Sequence, residues 1–165
     1  MVNETEFLNY MDTNQGIIHK ICHLYTDSKD DYHDLFQEII LQLWKAFPQF
    51  RGEAKISTWM YRIAFYTAMT NLRKSKKNIV DIHDSIPDIS QDENSREEDE
   101  MIIQLKTAIS KLPKIDMAIT LLILEDKSYK EISEITGLTE NTVGVRINRI
   151  KKKLKQLLTD GTGTN

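Results

Sequence analysis

The stretch SYKEISEITGLTENTVGVRINRIKKKLKQL, residues 128–157, decides how the C-terminal third of the chain folds. Ser128 and Glu131 stand three apart at the head of an apolar pattern, the spacing of a capping box in which each side chain satisfies a backbone N–H at the other's end of the turn. The helix that this box starts is expected to bury Tyr129, Ile132 and Ile135 and to stop at Thr136-Gly137, where glycine takes the left-handed conformation that closes a helix. Leu138 turns inward and Thr139 caps a second helix with Val143, Ile147, Ile150, Leu154 and Leu157 as its buried stripe. A short helix, a glycine turn and a longer basic helix make a helix-turn-helix.

Upstream of this motif, Pro113 suits the first position of a helix carrying Ile115, Ala118, Ile119, Leu122 and Ile123. A preceding helix begins near Glu97, with Met101, Ile102, Leu105, Ile109 and Leu112 expected inward. The segment 78–96 breaks the helical period: it holds Pro87, serines and many acids, and cannot bury enough apolar surface to order itself. Before it lie three or four more helices. Residues 5–26 read as one helix or as a pair broken near Asn14 to Gly16. The next has Leu35, Phe36, Ile39, Ile40, Leu43, Trp44 and Phe47 on one face and is stopped by Pro48. A third, capped by Ser57 or Thr58, has Trp59, Met60, Ile63, Ala64, Thr67, Ala68 and Leu72 as its face. The fold class is therefore all-α. Two small helical domains, 5–77 and 97–158, are joined by a flexible acidic linker at 78–96, and a disordered tail follows at 159–165.

The 165 residues carry a net charge of −3, but the total hides the distribution. From Arg51 to Lys77 there are seven basic residues against one acid, and from Arg146 to Lys155 six against none. Between them, Asp81 to Glu100 holds nine acids and one arginine. Two basic surfaces are thus separated by an acidic connector. The single cysteine, Cys22, excludes an internal disulfide and suits a reducing cytosol. No apolar run approaches the roughly 18 residues that a membrane helix needs, and Met1 to Tyr10 lack the basic start of a secretory signal. The expected location is cytoplasmic, with no membrane insertion.

Each basic surface has its own chemistry. The second helix of a helix-turn-helix enters the DNA major groove, and its face away from the core presents Asn141, Thr142, Val145, Asn148, Arg149 and Lys152. Arginine pairs with guanine and asparagine with adenine through two hydrogen bonds each. Arg146 and the lysines after it suit phosphates. In the N-terminal half, Arg51, Lys55, Arg62 and Arg73 interleave with Trp59, Tyr61, Phe65 and Tyr66. Cations that follow phosphates beside rings that stack on bases are the equipment for single-stranded DNA. Trp59 is more readily a core residue. A third face, Asp34, Gln37, Glu38, Leu41, Gln42 and Lys45, sets an exposed leucine among polar groups, which fits a partner helix.

These residues carry a family resemblance. Asp34-Leu35, Gln37-Glu38 and Trp44, then Phe50-Arg51-Gly52-Glu53-Ala54, then Thr58-Trp59-Met60-Tyr61-Arg62-Ile63-Ala64, resemble conserved region two of the extracytoplasmic-function (ECF) sigma factors. Leu112-Pro113, the run Ser128 to Ile132, Gly137-Leu138-Thr139, Thr142-Val143, Arg146-Ile147 and Arg149 resemble their region four. The two matches lie in the family's order and cover about residues 7–158.

The resemblance implies a non-catalytic subunit that binds core RNA polymerase, recognises two promoter elements and promotes melting, without cofactor, metal or small-molecule substrate. Asp34, Gln37 and Glu38 would then meet the polymerase's coiled-coil clamp, with Leu41 and Gln42 on the same polymerase-binding face. Arg51, Lys55, Arg62, Tyr66 and Arg73 would hold melted promoter DNA, and the face from Asn141 to Lys152 would read the upstream element as duplex. An anti-sigma factor is the implied regulator. Two positions depart from the family: Tyr66 stands where it usually has Asn, and Gly144 where many members have Lys or Arg.

Two other readings use fewer of these features. A stand-alone helix-turn-helix regulator explains the C-terminal half but not the Asp-Leu-x-Gln-Glu and Trp-x-Tyr-Arg patterns. An enzyme or metal protein would rest on His19, Cys22, His23 and His33, which lack a further ligand at close spacing. No phosphate-binding loop, dinucleotide glycine pattern or nucleophile motif is present.

Overall fold

The computed structural model describes residues 3–78 and 100–160. Among them are seven α-helices, one 3-10 turn and no strand. They fall into two compact units: the first takes the first three helices together with Glu134–Thr136, and the second takes the other described residues from the fourth helix onward.

The first unit is built from α1 (Glu4–Tyr25), α2 (Lys29–Ala46) and α3 (Ile56–Asn78). α1 runs unbroken through Asn14 to Gly16, which settles the two options left by the sequence. Its start is capped by Asn3, whose Oδ1 accepts the Glu6 N–H. α2 is capped by Ser28 accepting from the Asp31 N–H, and Asp30 and Asp31 favour the positive end of the helix dipole. It ends at Ala46, where Pro48 permits only a 3-10 turn, Phe47–Gln49. The core is Ile18, Ile21 and Cys22 of α1, Leu35, Ile39 and Leu43 of α2, and Met60, Tyr61, Ala64, Phe65 and Ala68 of α3. Each buried large aliphatic contributes about 1.5–3 kcal/mol.

Three expectations are corrected here. α3 begins at Ile56, before Ser57 and Thr58, and the Lys55 carbonyl accepts the Trp59 N–H. Neither hydroxyl residue is therefore its cap. Tyr61 and Phe65, expected among DNA-facing aromatics, are core. Trp44, expected in the core, is 39% exposed. At the opposite corner of the unit His19 Nδ1 bonds the Tyr32 hydroxyl and its ring lies 4.9 Å from that of Phe36. The His23 ring is 4.8 Å from that of Tyr32. Burial pushes the Cys22 thiol up to about 12, so it stays protonated and inert. These contacts occupy two of the histidines in α1–α2 packing.

The second unit holds α4 (Glu100–Ser110), α5 (Lys114–Leu124), the start of α6 (Tyr129–Thr136), through Ser133, and α7 (Glu140–Asp160). α4 and α5 both pack on α7, where Ile119, Leu122, Val143, Ile147 and Ile150 are buried, and in α6 Ile132 and Ile135 are buried as well. Pro113 is the residue before α5 rather than its first, its carbonyl accepting the Met117 N–H. α5 closes through Asp126 in the left-handed region (φ 59°), with Lys127 N–H on the Leu122 carbonyl and Asp126 N–H on that of Ile123. That is the Schellman closure. Aspartate is one of the few non-glycine residues that tolerate this conformation.

Met101 and Ile102, expected inward, are exposed, because α4 turns Ala108 and not its N-terminal half to the core. α7 continues through Thr159 and Asp160, two residues into the expected tail, with the Thr159 hydroxyl bonded to the Lys155 carbonyl. Apart from Asn78, the expected linker lies outside the described residues.

Candidate nucleic-acid interface

The helix-turn-helix forms as its sequence grammar requires. Ser128 Oγ accepts the Glu131 N–H at 3.1 Å and Glu131 Oε2 accepts the Ser128 N–H at 3.2 Å, so the capping box is complete. Gly137 closes α6 at φ 79°, its N–H on the Ser133 carbonyl. The Ser133 hydroxyl then donates to the Leu138 carbonyl at 2.5 Å and fixes the turn. Thr139 Oγ1 accepts the Thr142 N–H, capping α7.

With Val143, Ile147 and Ile150 buried, the opposite side of α7 is set by geometry. Asn141, Val145, Asn148, Arg149 and Lys152 are all exposed. They recur at intervals of three and four over about 16 Å of helix, a length that fits a major groove.

Two expected members of the face are held differently. The Thr142 hydroxyl receives a hydrogen bond from Thr139 Oγ1 at 2.8 Å and so belongs partly to the cap. Arg146 turns toward α5: its Nη1 lies 2.9 Å from Asp116 Oδ1, and its buried Nε has no partner among the described residues. An acid thirty residues away in sequence, which no local pattern signals, thus holds this arginine against its own unit.

Gly144 lies beneath Tyr129. A Cβ there would meet Tyr129 Cε2 at 3.5 Å, an ordinary contact. Tyr129, expected to be buried, is 48% exposed, since as the first residue of α6 it lies over Gly144 of the helix that follows, whereas Ile132 and Ile135 are buried. Gly144→Ala is expected to stabilise the protein by about 1 kcal/mol through helix propensity. Thermal unfolding checks it, and an unchanged or lowered midpoint would mean that Tyr129 cannot accommodate a methyl group.

In the first unit, Arg51, Lys55, Arg62, Tyr66 and Arg73 are exposed. Arg51 follows Phe50 into a loop that turns at Gly52 (φ 74°). Phe50 anchors this loop: its ring is 5.0 Å from that of Trp59 and 6.4 Å from that of Tyr10. On α2, Asp34, Gln37 and Leu41 are exposed, whereas Glu38 and Gln42 are half-buried and joined by a 2.8 Å hydrogen bond from Gln42 Nε2 to Glu38 Oε1. Beside them Leu8 and Trp44 complete an apolar groove with Leu41. Periodicity had placed Trp44 inside. The edge contact of its ring with Phe7, at 5.0 Å, holds it at the rim instead.

Together these features define a helical DNA-binding protein with a second, cation-and-ring surface on a separate unit. Comparison with known proteins makes the class specific. Residues 11–78 match the family model for sigma-70 region 2, and residues 102–154 that for sigma-70 region 4. The chain is 32% identical over 142 residues to the RNA polymerase sigma factor SigV of Bacillus subtilis (strain 168), covering 86% of this chain and 84% of the relative. It is also 32% identical over 152 residues to the ECF RNA polymerase sigma-E factor of Escherichia coli (strain K12), covering 82% and 79%.

Among solved structures, the fold is similar to that of the sigma factor RpoE in complex with the anti-sigma factor NepR from Bartonella quintana. The TM-score is 0.73 at 18% identity, over 93% of this chain and 97% of that one. It is similar also to CnrH in complex with the cytosolic domain of CnrY, with TM-score 0.67 at 17% identity over 96% and 90%. The chain belongs to the sigma-70 family and, within it, to the extracytoplasmic-function group: it is a promoter-recognising RNA polymerase sigma factor that acts in transcription initiation. Among the described residues no helix is long and apolar enough to cross a membrane.

Proposed function

We propose that initiation is divided between the two units as follows, with binding and not catalysis as the whole of the protein's contribution. The first unit, residues 5–77, docks on core polymerase through Asp34, Gln37, Glu38, Leu41 and Gln42. It holds the melted strand through Arg51, Lys55, Arg62, Tyr66 and Arg73. The second, residues 97–158, reads the upstream element as duplex through Asn141, Val145, Asn148, Arg149 and Lys152, with Thr142 at the head of the helix. Arg146 acts there by fixing α7 on α5. The carrying observation is the outer face of α7, where polar and cationic side chains are exposed at helical spacing directly opposite a closed apolar core.

The acidic segment 78–96 links the units. Opening is a population shift, because a surface that binds single strands better than duplex draws the promoter toward the melted state. The protein works in the cytoplasm, where polymerase and promoter are. An anti-sigma factor holds it inactive, as the complexes of RpoE with NepR and of CnrH with CnrY suggest.

Glu38→Lys tests the docking face. It reverses a charge and breaks the bond to Gln42, and is expected to weaken core-polymerase binding at least about tenfold, given that mismatched charges at an interface cost several kcal/mol. Duplex binding by α7 should stay unchanged. Fluorescence anisotropy with labelled protein reads both, and an unaltered polymerase affinity would remove α2 from the interface.

A further inference from the structure

Of the cations on α7, one is turned away from solvent. Arg149, Lys151, Lys152, Lys153 and Lys155 are exposed, whereas Arg146 is drawn back against its own unit. At 3.6 residues per turn, position 146 stands on the rim of the helix. Thr142 and Arg149 lie on its outer side, and the buried Val143 and Ile150 on its inner side. From a rim, a side chain as long as arginine can reach outward to DNA or inward to α5.

The inward direction is taken. Arg146 Nη1 lies 2.9 Å from Asp116 Oδ1, with the two side chains 33% and 14% exposed. Asp116 stands in the first turn of α5, where the positive end of the helix favours a carboxylate. Arg146 Nε is buried without a partner among the described residues. A buried donor that finds no acceptor costs free energy, so the guanidinium is held by its pair with Asp116 and not by the surroundings of Nε.

We propose that Asp116 sets the DNA affinity of α7 by withholding Arg146 from phosphates. This rests on the assignment of α7 to duplex DNA, and it gives a role to an acid on a helix that carries none of the reading residues. Paired with the carboxylate, Arg146 adds nothing to the counterion release that drives binding to any duplex. Phosphate contacts carry no sequence information, so withholding one leaves the base-edge residues of α7 a larger share of the affinity. The protein then holds unrelated DNA less tightly while reading the same bases. Asp116 is a positioning residue that acts through Arg146.

The test uses the full chain and a labelled duplex of mixed sequence, with anisotropy measured over a range of salt. On logarithmic axes, affinity falls with salt at a slope of about 0.9 per neutralised phosphate. Asp116→Ala removes the acceptor and frees the guanidinium. It is expected to raise affinity at low salt and to steepen the slope by about 0.9, an extra loss of about 3.5-fold for each fourfold rise in salt. Arg146→Gln removes the withheld charge and should keep the parent slope. Asp116→Ala on that background should steepen nothing, which completes a double-mutant cycle.

A parent slope in Asp116→Ala overturns the proposal. So does a shallower slope in Arg146→Gln alone, which would mean that Arg146 already meets a phosphate. Equal steepening with and without Arg146 overturns it too, since Asp116 would then act by its own charge. Circular dichroism accompanies each variant, and if Asp116→Ala unfolds the second unit, the slope of Arg146→Gln decides alone. Arg149→Ala separates this proposal from the assignment beneath it. If that variant binds the duplex with the parent's affinity and slope, α7 does not hold DNA, and the broader assignment fails and this one with it.

Discussion

Replacing Arg149 by alanine is expected to lower affinity for the upstream promoter duplex by about 1–3 kcal/mol, roughly 5- to 150-fold, and to relax discrimination at one base pair. The residue is exposed on the outer face of α7, two positions beyond the buried Ile147 and next to the buried Ile150. Its side chain therefore contributes little to the core, and the thermal midpoint should stay within the range of a surface change, about 0.5 kcal/mol. Binding to core polymerase should be untouched. Anisotropy with duplexes varied at each position measures the effect. Equal loss of duplex and polymerase binding would show that Arg149 is structural.

Ile147→Ala supplies the complementary case from the same turn of the same helix. Ile147 is 1% exposed, and truncation leaves a cavity where α7 meets the other helices of its unit, at an expected cost of about 2–5 kcal/mol. Duplex binding is then lost together with helical signal from the second unit and not at constant structure. Polymerase binding through α2 persists, since its side chains belong to a different core. Urea titration followed by circular dichroism measures the first effect and anisotropy the second. A stable Ile147→Ala protein with weakened DNA binding would mean that the buried and exposed faces of α7 had been exchanged.

The contrast between these two residues shows what the sequence makes legible. Local grammar suffices where a side chain acts on its own turn. The Ser128–Glu131 box, the left-handed Gly137 and the Val143–Ile147–Ile150 stripe all sit where spacing puts them, because each depends on neighbours three or four residues away.

Legibility fails where several apolar stripes compete for one core. α3 packs on both α1 and α2, so it buries a broad face, and Tyr61 and Phe65 lie inside while Trp59 is only half-buried at the loop. Trp44 was misplaced for the opposite reason. α2 ends just after it, and the core at that end is already filled by Phe7 and Phe47, whose rings lie 5.3 Å apart.

The candidate site shows the same division. Asn141, Val145, Asn148, Arg149 and Lys152 follow from periodicity once the core stripe is known. The Arg146–Asp116 pair does not, because thirty residues separate its members. Tyr66 was visible as a departure from a family pattern, but its pairing with Arg62 and its exposure beside an α2–α3 groove required the fold. Trp44, which periodicity points inward, meets Leu8 at the rim only when α1 and α2 pack.

The most direct test of the account is run-off transcription by sigma-free core polymerase supplied with this chain on a pool of genomic fragments, preceded by a pull-down of the two proteins. The account predicts stable assembly and initiation at a discrete set of sites that share two spaced elements, lost on Glu38→Lys. Duplex binding without assembly on the core enzyme, and without initiation, would contradict it and leave a stand-alone helix-turn-helix regulator.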